Sequence, residues 1–251
     1  MWAQFEGRFD EAEQLVKEAL ATAERAHDRA AAEQFGAQTI AFLRERDRLH
    51  EIEPMVTGFA QEDPSVGAWR SVLAWIYSQQ GTEREARTEF ERLAADDFAC
   101  LPRDYTWLMA MSLLSEVCSF LKDRERAAIL YRQLLPFGER NIVMGYAILC
   151  AGSVSRSLGL LAATLGRWGE AEKHFECALQ MNERMGAWPW LAWTRYDYAC
   201  MLIERSQRGD ARRAAQLLDR SLTSTRELGM KALEAATLAL IDRKTPDGPL
   251  T

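Results

Sequence analysis

Between Ile142 and Leu165 the sequence carries one charge, Arg156. A guanidinium on an apolar helix must be paired or line a cavity, because nothing else offsets its desolvation. Glu116 is the acid placed to meet it, and the one carboxylate expected to have a displaced pKa. Trp188, Trp190 and Trp193 fit an aromatic cage for a cationic ligand. They also fit a packed hairpin start, since Trp190 and Trp193 stand at i, i+3 and Trp188 precedes the helix. His174 and Cys177, again i, i+3, could supply half of a metal site, but no second pair accompanies them and a structural zinc takes four ligands. No metal and no cofactor are therefore expected. His27 and His50 stand alone in charged stretches, and Glu11, Glu13, Asp96 and Asp97 look solvent-facing. No GxSxG, HExxH or Cys-His-Asn pattern occurs. The chain is thus expected not to be an enzyme. The alternative is a cofactor-free enzyme or a small-molecule receptor pocket built on Arg156 and Glu116.

The bulk composition describes a protein able to bury a large core: 251 residues, 48% hydrophobic and 27% charged. Its formal charge of −6 lacks the basic stripe that binding nucleic acid directly requires. The Arg-rich run from Arg205 to Arg213, interrupted by Asp210, reads as a solvated loop. Cys100, Cys118, Cys150, Cys177 and Cys200 are odd in number, scattered and without a CxxC pair, so reduced thiols in a cytoplasmic protein are expected. No signal peptide is visible. The run Ile142 to Leu165 approaches membrane-helix length, but Gly145, Gly152, Ser153, Ser155, Ser157 and Gly159 make it small-residue-rich, and a buried central helix fits better than a membrane span.

One pattern organises the chain. Gly166-Arg167-Trp168-Gly169-Glu170-Ala171 runs on to Phe175, Ala178 and Leu179. Gly7 with Phe9 and Ala12, Gly81 with Ala86 and Phe90, and Gly209 with Ala214 and Leu218 repeat it. The glycine turns the chain, the small residue admits a close neighbour, and the large apolar residues fill the gap to the next unit. Equivalent positions fall at 7, 47, 81, 122, 166 and 209, mostly 40–44 residues apart. Helices are expected at 10–26, 29–46, 48–62, 67–80, 83–95, 103–121, 124–136, 140–165, 168–185, 189–206, 210–228 and 230–243, with Pro64 closing the second hairpin.

This is the second helix of a tetratricopeptide-type hairpin, lengthened by about a turn per helix over the usual 34-residue repeat. The expected fold is an all-α, right-handed, TPR-like α-solenoid of about twelve helices. Residues 1–243 form one domain, with 1–26 a truncated first repeat, 230–243 a capping helix and 244–251 a disordered tail. The segments Gly152-Ser153-Val154-Ser155-Arg156-Ser157-Leu158-Gly159 through Trp168, Gly186-Ala187-Trp188-Pro189-Trp190 through Arg195, and Glu227-Leu228-Gly229-Met230 resemble the helical region of large bacterial ATP-dependent regulators. Those proteins join an ATPase to a superhelix, with a LuxR-type DNA-binding domain after it or an adenylate cyclase before it. The match is best over 137–230. No GxxxxGK[ST], cyclase or DNA-reading segment occurs here. The resemblance implies a sensor or protein-interaction module in signalling or transcription regulation.

In such arrays the first helix of each hairpin lines the concave face. Projecting its inward positions gives Arg44, Trp75, Ser78, Met109, Ser112, Glu116, Phe120, Arg156, Trp193 and Tyr196 as the candidate ligand-binding row. Rings suit apolar or sugar faces, and Arg156 and Glu116 fix polar groups. The same residues also fit an interior in which the rings pack and the two charges pair. The expected ligand is a peptide segment of a protein partner or a small effector. Phe9, Ala12 and Val16 form an apolar face with almost no first helix to cover it, so either upstream sequence or a docked partner covers it, and a homodimer through this face fits.

Overall fold

The computed structural model describes residues 1–26, 29–62, 67–145 and 148–243. Among them the chain is all-α apart from one β-hairpin. The helices run α1 (Trp2–Phe5), α2 (Phe9–Ala26), α3 (Arg29–Glu45), α4 (Glu53–Glu62), α5 (Gly67–Gln79), α6 (Glu83–Ala94), α7 (Trp107–Leu121) and α8 (Arg124–Leu134). After the hairpin come α9 (Val154–Thr164), α10 (Trp168–Met185), α11 (Trp188–Arg205), α12 (Asp210–Leu228) and α13 (Lys231–Asp242). Asp123 caps α8 by accepting from the Arg126 amide at 3.0 Å, and Pro189 opens α11 in the first turn, where its missing N–H costs nothing. The expected tail at 244–251, Pro64 and His27 lie outside the described residues.

The repeat is written into the backbone. All six equivalent positions take left-handed dihedrals: Gly7, Gly81, Gly166 and Gly209, and also Asp47 (φ 59°) and Lys122 (φ 53°), where a side chain tolerates what glycine adopts freely. Five residues after each turn, Ala12, Ile52, Ala86, Ala127, Ala171 and Ala214 are all buried. Nine residues after each, so are Val16, Val56, Phe90, Tyr131, Phe175 and Leu218. The helices therefore pair as consecutive antiparallel hairpins with one continuous core.

Residues 140–165 do not form the single helix that their composition suggests. β1 (Asn141–Met144) pairs antiparallel with β2 (Leu149–Ser153), and α9 begins only at Val154. Gly145 and Gly152 adopt positive φ, which breaks helical propagation. The hairpin's polar groups are then claimed from outside: Asn182 Oδ1 accepts from the Ser153 amide at 3.1 Å, and Trp190 Nε1 donates to the Cys150 carbonyl at 3.0 Å. Among the described residues no helix is long and apolar enough to cross a membrane.

The array curls until its ends meet. Leu228, at the end of α12, lies so close to Gly7 that a Cβ there would come within 2.6 Å of it. Gln38 Nε2 donates to the Ile148 carbonyl at 2.8 Å, Trp193 of α11 donates to Glu45 of α3, and α3 also contacts α13. Phe9, Ala12 and Val16, expected to lie uncovered, are 3%, 6% and 9% exposed, so the face is covered within the chain. A homodimer through it loses the exposed apolar surface on which the expectation rested.

The Arg205–Arg213 run is a solvated loop only over residues 206–209, which are exposed; Arg205 and Arg213 belong to the helices on either side. Arg205 forks onto Asp210 at 2.9 and 2.7 Å and reaches Glu172 at 2.6 Å, while Arg213 bridges Glu172 and Glu176. The Asp210 carboxylate, which looked like a break in a basic run, is the acceptor that draws Arg205 inward.

Gly159 marks a close approach of α9 and α10. A Cβ there would meet the Phe175 ring at 2.8–3.0 Å, and that ring is stacked on Tyr198 at 5.4 Å between centroids, so it has nowhere to move. Gly159→Ala is expected to lower stability by about 1–3 kcal/mol through overpacking, although alanine is the better helix former by about 1 kcal/mol. Chemical denaturation checks this; a neutral or stabilising result refutes the packing argument.

Candidate functional site

Each inner helix sends one polar or aromatic residue to the same interior point: Arg44 from α3, Trp75 from α5, Glu116 from α7, Arg156 from α9 and Asp197 from α11. Glu116 is the hub. Its Oε2 accepts from Arg44 Nη2 at 3.1 Å and from Trp75 Nε1 at 2.8 Å, and its Oε1 accepts from Arg156 Nη1 at 2.6 Å. Arg156 Nε donates to Asp197 Oδ2 at 2.7 Å. Glu45, adjacent to Arg44, receives only Trp193 Nε1, shared between its two oxygens at 3.1 Å each. Arg44 Nε lies 3.9 Å from Glu45, too far for a hydrogen bond, and is a buried donor without a partner.

Three aromatic rings surround Arg44. Its Cζ lies 4.0 Å from the Trp193 centroid, 5.1 Å from Trp190 and 5.3 Å from Trp75. An aromatic cage is therefore present, but its cation belongs to the protein. It draws on Trp75, Trp190 and Trp193, whereas Trp188 is 44% exposed at the helix start.

Beside this network lies a cavity of about 220 Å³. Arg44, Glu45, Glu116 and Ser112 give it a polar end. Trp69, Trp75 and Trp190, with aliphatic side chains from α3, α5, α7 and the β-hairpin, form the rest of its wall. Tyr105, two-thirds exposed and also lining it, stands at the mouth, against Gly145 of the hairpin.

Of the ten residues in the projected row, Arg44, Trp75, Met109, Ser112 and Glu116 line this cavity. Arg156 and Trp193 stand behind it in the charge network. Ser78 is turned back onto the Trp75 carbonyl at 2.7 Å, Phe120 is 39% exposed elsewhere, and Tyr196 packs edge-on against Trp193 without reaching the cavity. Glu45, Asp197, Trp69 and Tyr105 were not in the row. Glu45 and Asp197 each directly follow a projected inward residue, one position along α3 and α11. His174 is engaged by the Tyr131 hydroxyl at 2.9 Å, and among the described residues no group of three or more His, Cys, Asp or Glu could hold a metal ion.

Glu116 is not the only displaced acid. Burial raises its pKa, but Arg44 and Arg156 together outweigh burial and bring it to about 2. Burial dominates at Glu45 and lifts it to about 7 against the pull of Arg44 and Trp193. Burial likewise lifts Asp197 to about 6 despite Arg156. The cluster thus joins one firmly ionised carboxylate to two that burial makes harder to ionise, of which Glu45 titrates near neutrality.

The fold and site together define a class: an all-α helical-repeat protein closed end to end around a cavity with a charged wall. No protein-family model, curated protein or solved structure matches the chain.

Two predictions follow from the charges. Glu45 and Asp197 have folded pKa values above their ordinary 4.5 and 3.8, so their contribution to stability is complete below about pH 4 and is lost as pH rises through about 6 to 7. Glu116 contributes above pH 4.5 and is lost toward pH 2. The melting temperature should therefore fall between pH 5 and pH 8, and Glu45→Gln should remove the larger part of that fall. A curve flat across this range contradicts the assignment. Arg156→Ala strips the partner from Asp197 and one from Glu116, and should cost about 3–5 kcal/mol, whereas an open, solvated groove would tolerate it.

Proposed function

We propose that this chain is a non-catalytic ligand-sensing module that takes a small, largely apolar effector into the cavity bounded by α3, α5, α7 and the β-hairpin. The observation that carries this is the cavity itself, apolar over most of its wall and placed directly against a buried charge cluster, the usual composition of a small-molecule site. A peptide groove is less well supported, because Arg44, Trp75 and Trp193 occupy the inner face and bond to one another across it. The effector would sit where α3 meets α11, the joint at which the ends of the array close. A ligand that favours one arrangement of that joint shifts the population of closed chains, and so transmits its presence to whatever the module is joined to. This agrees with the sensor role implied by the resemblance to bacterial regulators and with a cytoplasmic setting. A second reading, an enzyme moving a proton through Glu45, is favoured by that acid's pKa near 7.

The decisive measurement is native mass spectrometry of the purified chain, backed by melting shifts with a fragment library. Val72→Trp, which drives an indole into the cavity from α5, should abolish both the retained mass and the shifts while preserving the helical spectrum. A retained molecule indifferent to Val72→Trp refutes the site, and the absence of any bound or shifting compound refutes the receptor. Chemical conversion of the retained molecule, lost in Glu45→Gln, establishes the enzyme instead.

A further inference from the structure

The charges of the buried network behind and beside the cavity do not balance. Glu45, Glu116 and Asp197 face Arg44 and Arg156: three carboxylates against two guanidiniums, all strongly buried. Glu116 accepts three donors, and Asp197 is held by Arg156. The surplus falls on Glu45, whose two oxygens share a single indole donor. Arg44 Nε stays 3.9 Å away without a hydrogen bond. An uncompensated charge in such surroundings is costly, and a proton on Glu45 neutralises it when the cavity is empty.

Resting on the receptor reading above, we infer that the occupant is an organic monocation: an apolar group bearing one ammonium, with Glu45 as its counter-charge. The ammonium takes the place of the proton. It donates to the free lone pairs of Glu45 and brings the cluster to neutrality, and the ionised carboxylate can then draw Arg44 Nε into the bond it lacks. Trp69, Trp75 and Trp190 supply ring faces for the apolar part and for the cation. An anion would double the surplus charge, and a neutral molecule would leave it in place. Since an apolar cavity of about 150 Å³ accommodates benzene, this one has room for about nine non-hydrogen atoms.

The test uses three molecules of nearly one size, 2-phenylethylamine, 2-phenylethanol and phenylacetate, titrated calorimetrically into the full chain from pH 5 to 8. The amine should bind at least tenfold more tightly than the alcohol at pH 8, and phenylacetate not at all. Below pH 7 its affinity should fall about tenfold per pH unit as a proton competes for Glu45. Glu45→Gln should abolish that slope and the preference for the amine over the alcohol. Asp197→Asn, altering the other acid that titrates nearby, should keep the slope. Alcohol binding as well as amine, or Glu45→Gln leaving the preference intact, overturns the cation and leaves the receptor standing. Phenylacetate binding best overturns it in favour of an anion at Arg44. If none of the three binds, the cation assignment falls, and retained mass in the native spectrum decides separately whether the receptor does.

Discussion

The arrangement of the inner helices turns on one constraint: Glu116 must have more than one cation. A carboxylate buried this deeply is tolerable only with its lone pairs filled and its charge matched. Arg44 and Arg156 reach it from opposite directions, one from α3 and the other from α9, and Trp75 comes from the α5 between them. A hub that draws donors from three hairpins sets the tilt of each toward the same centre. It converts an array whose neighbours touch only in sequence into one with a common interior point. Apolar packing sets the spacing of the hairpins. The hub fixes how tightly they curl.

Closure then follows from where the charges sit. Arg44 is the next-to-last residue of α3, so holding it against Glu116 brings the end of that helix inward and delivers Glu45 to Trp193 of α11. α3 thereby meets α13, and Leu228 at the end of α12 comes against the Gly7 turn. Repeat proteins ordinarily spend polar residues on a cap for a terminal face. Here Leu228 of α12 stands against the Gly7 turn, so the two ends of the described array meet.

The repeat was legible because it is local. Gly7, Gly81, Gly166 and Gly209, with the small and large apolar residues that follow each, carry the whole instruction within a dozen positions, and Asp47 and Lys122 were found by spacing alone. The inward row was legible for the same reason, and it brought Arg44, Trp75, Glu116 and Arg156 together correctly. Glu45 and Asp197 were hidden by one residue each: helices in contact rotate to satisfy their strongest partners, and a rotation of about 100° separates successive residues. The β-hairpin was hidden because a short run of small and apolar residues has no period that tells helix from strand. What decides it is Asn182 and Trp190, some thirty to forty residues later. Closure was invisible for the most general reason, since it joins residues with nearly the whole chain between them.

These features bear on how such a module could respond. A solenoid that bends continuously offers a ligand no threshold, whereas one closed by a few directional bonds has two distinct states, joined and parted. The weakest of those bonds are at Glu45, which has one shared donor on one side and an unpartnered guanidinium nitrogen on the other. That carboxyl is also a cavity wall and belongs to the helix that closes the ring. Whatever changes its charge changes the match between α3 and α11 directly, without a relay through intervening helices. On the receptor reading, linkage makes the coupling reciprocal: anything that held the ring shut would change the affinity at Glu45 by the same factor. The buried acid that stabilises the fold least is thus the one through which the fold is most easily read.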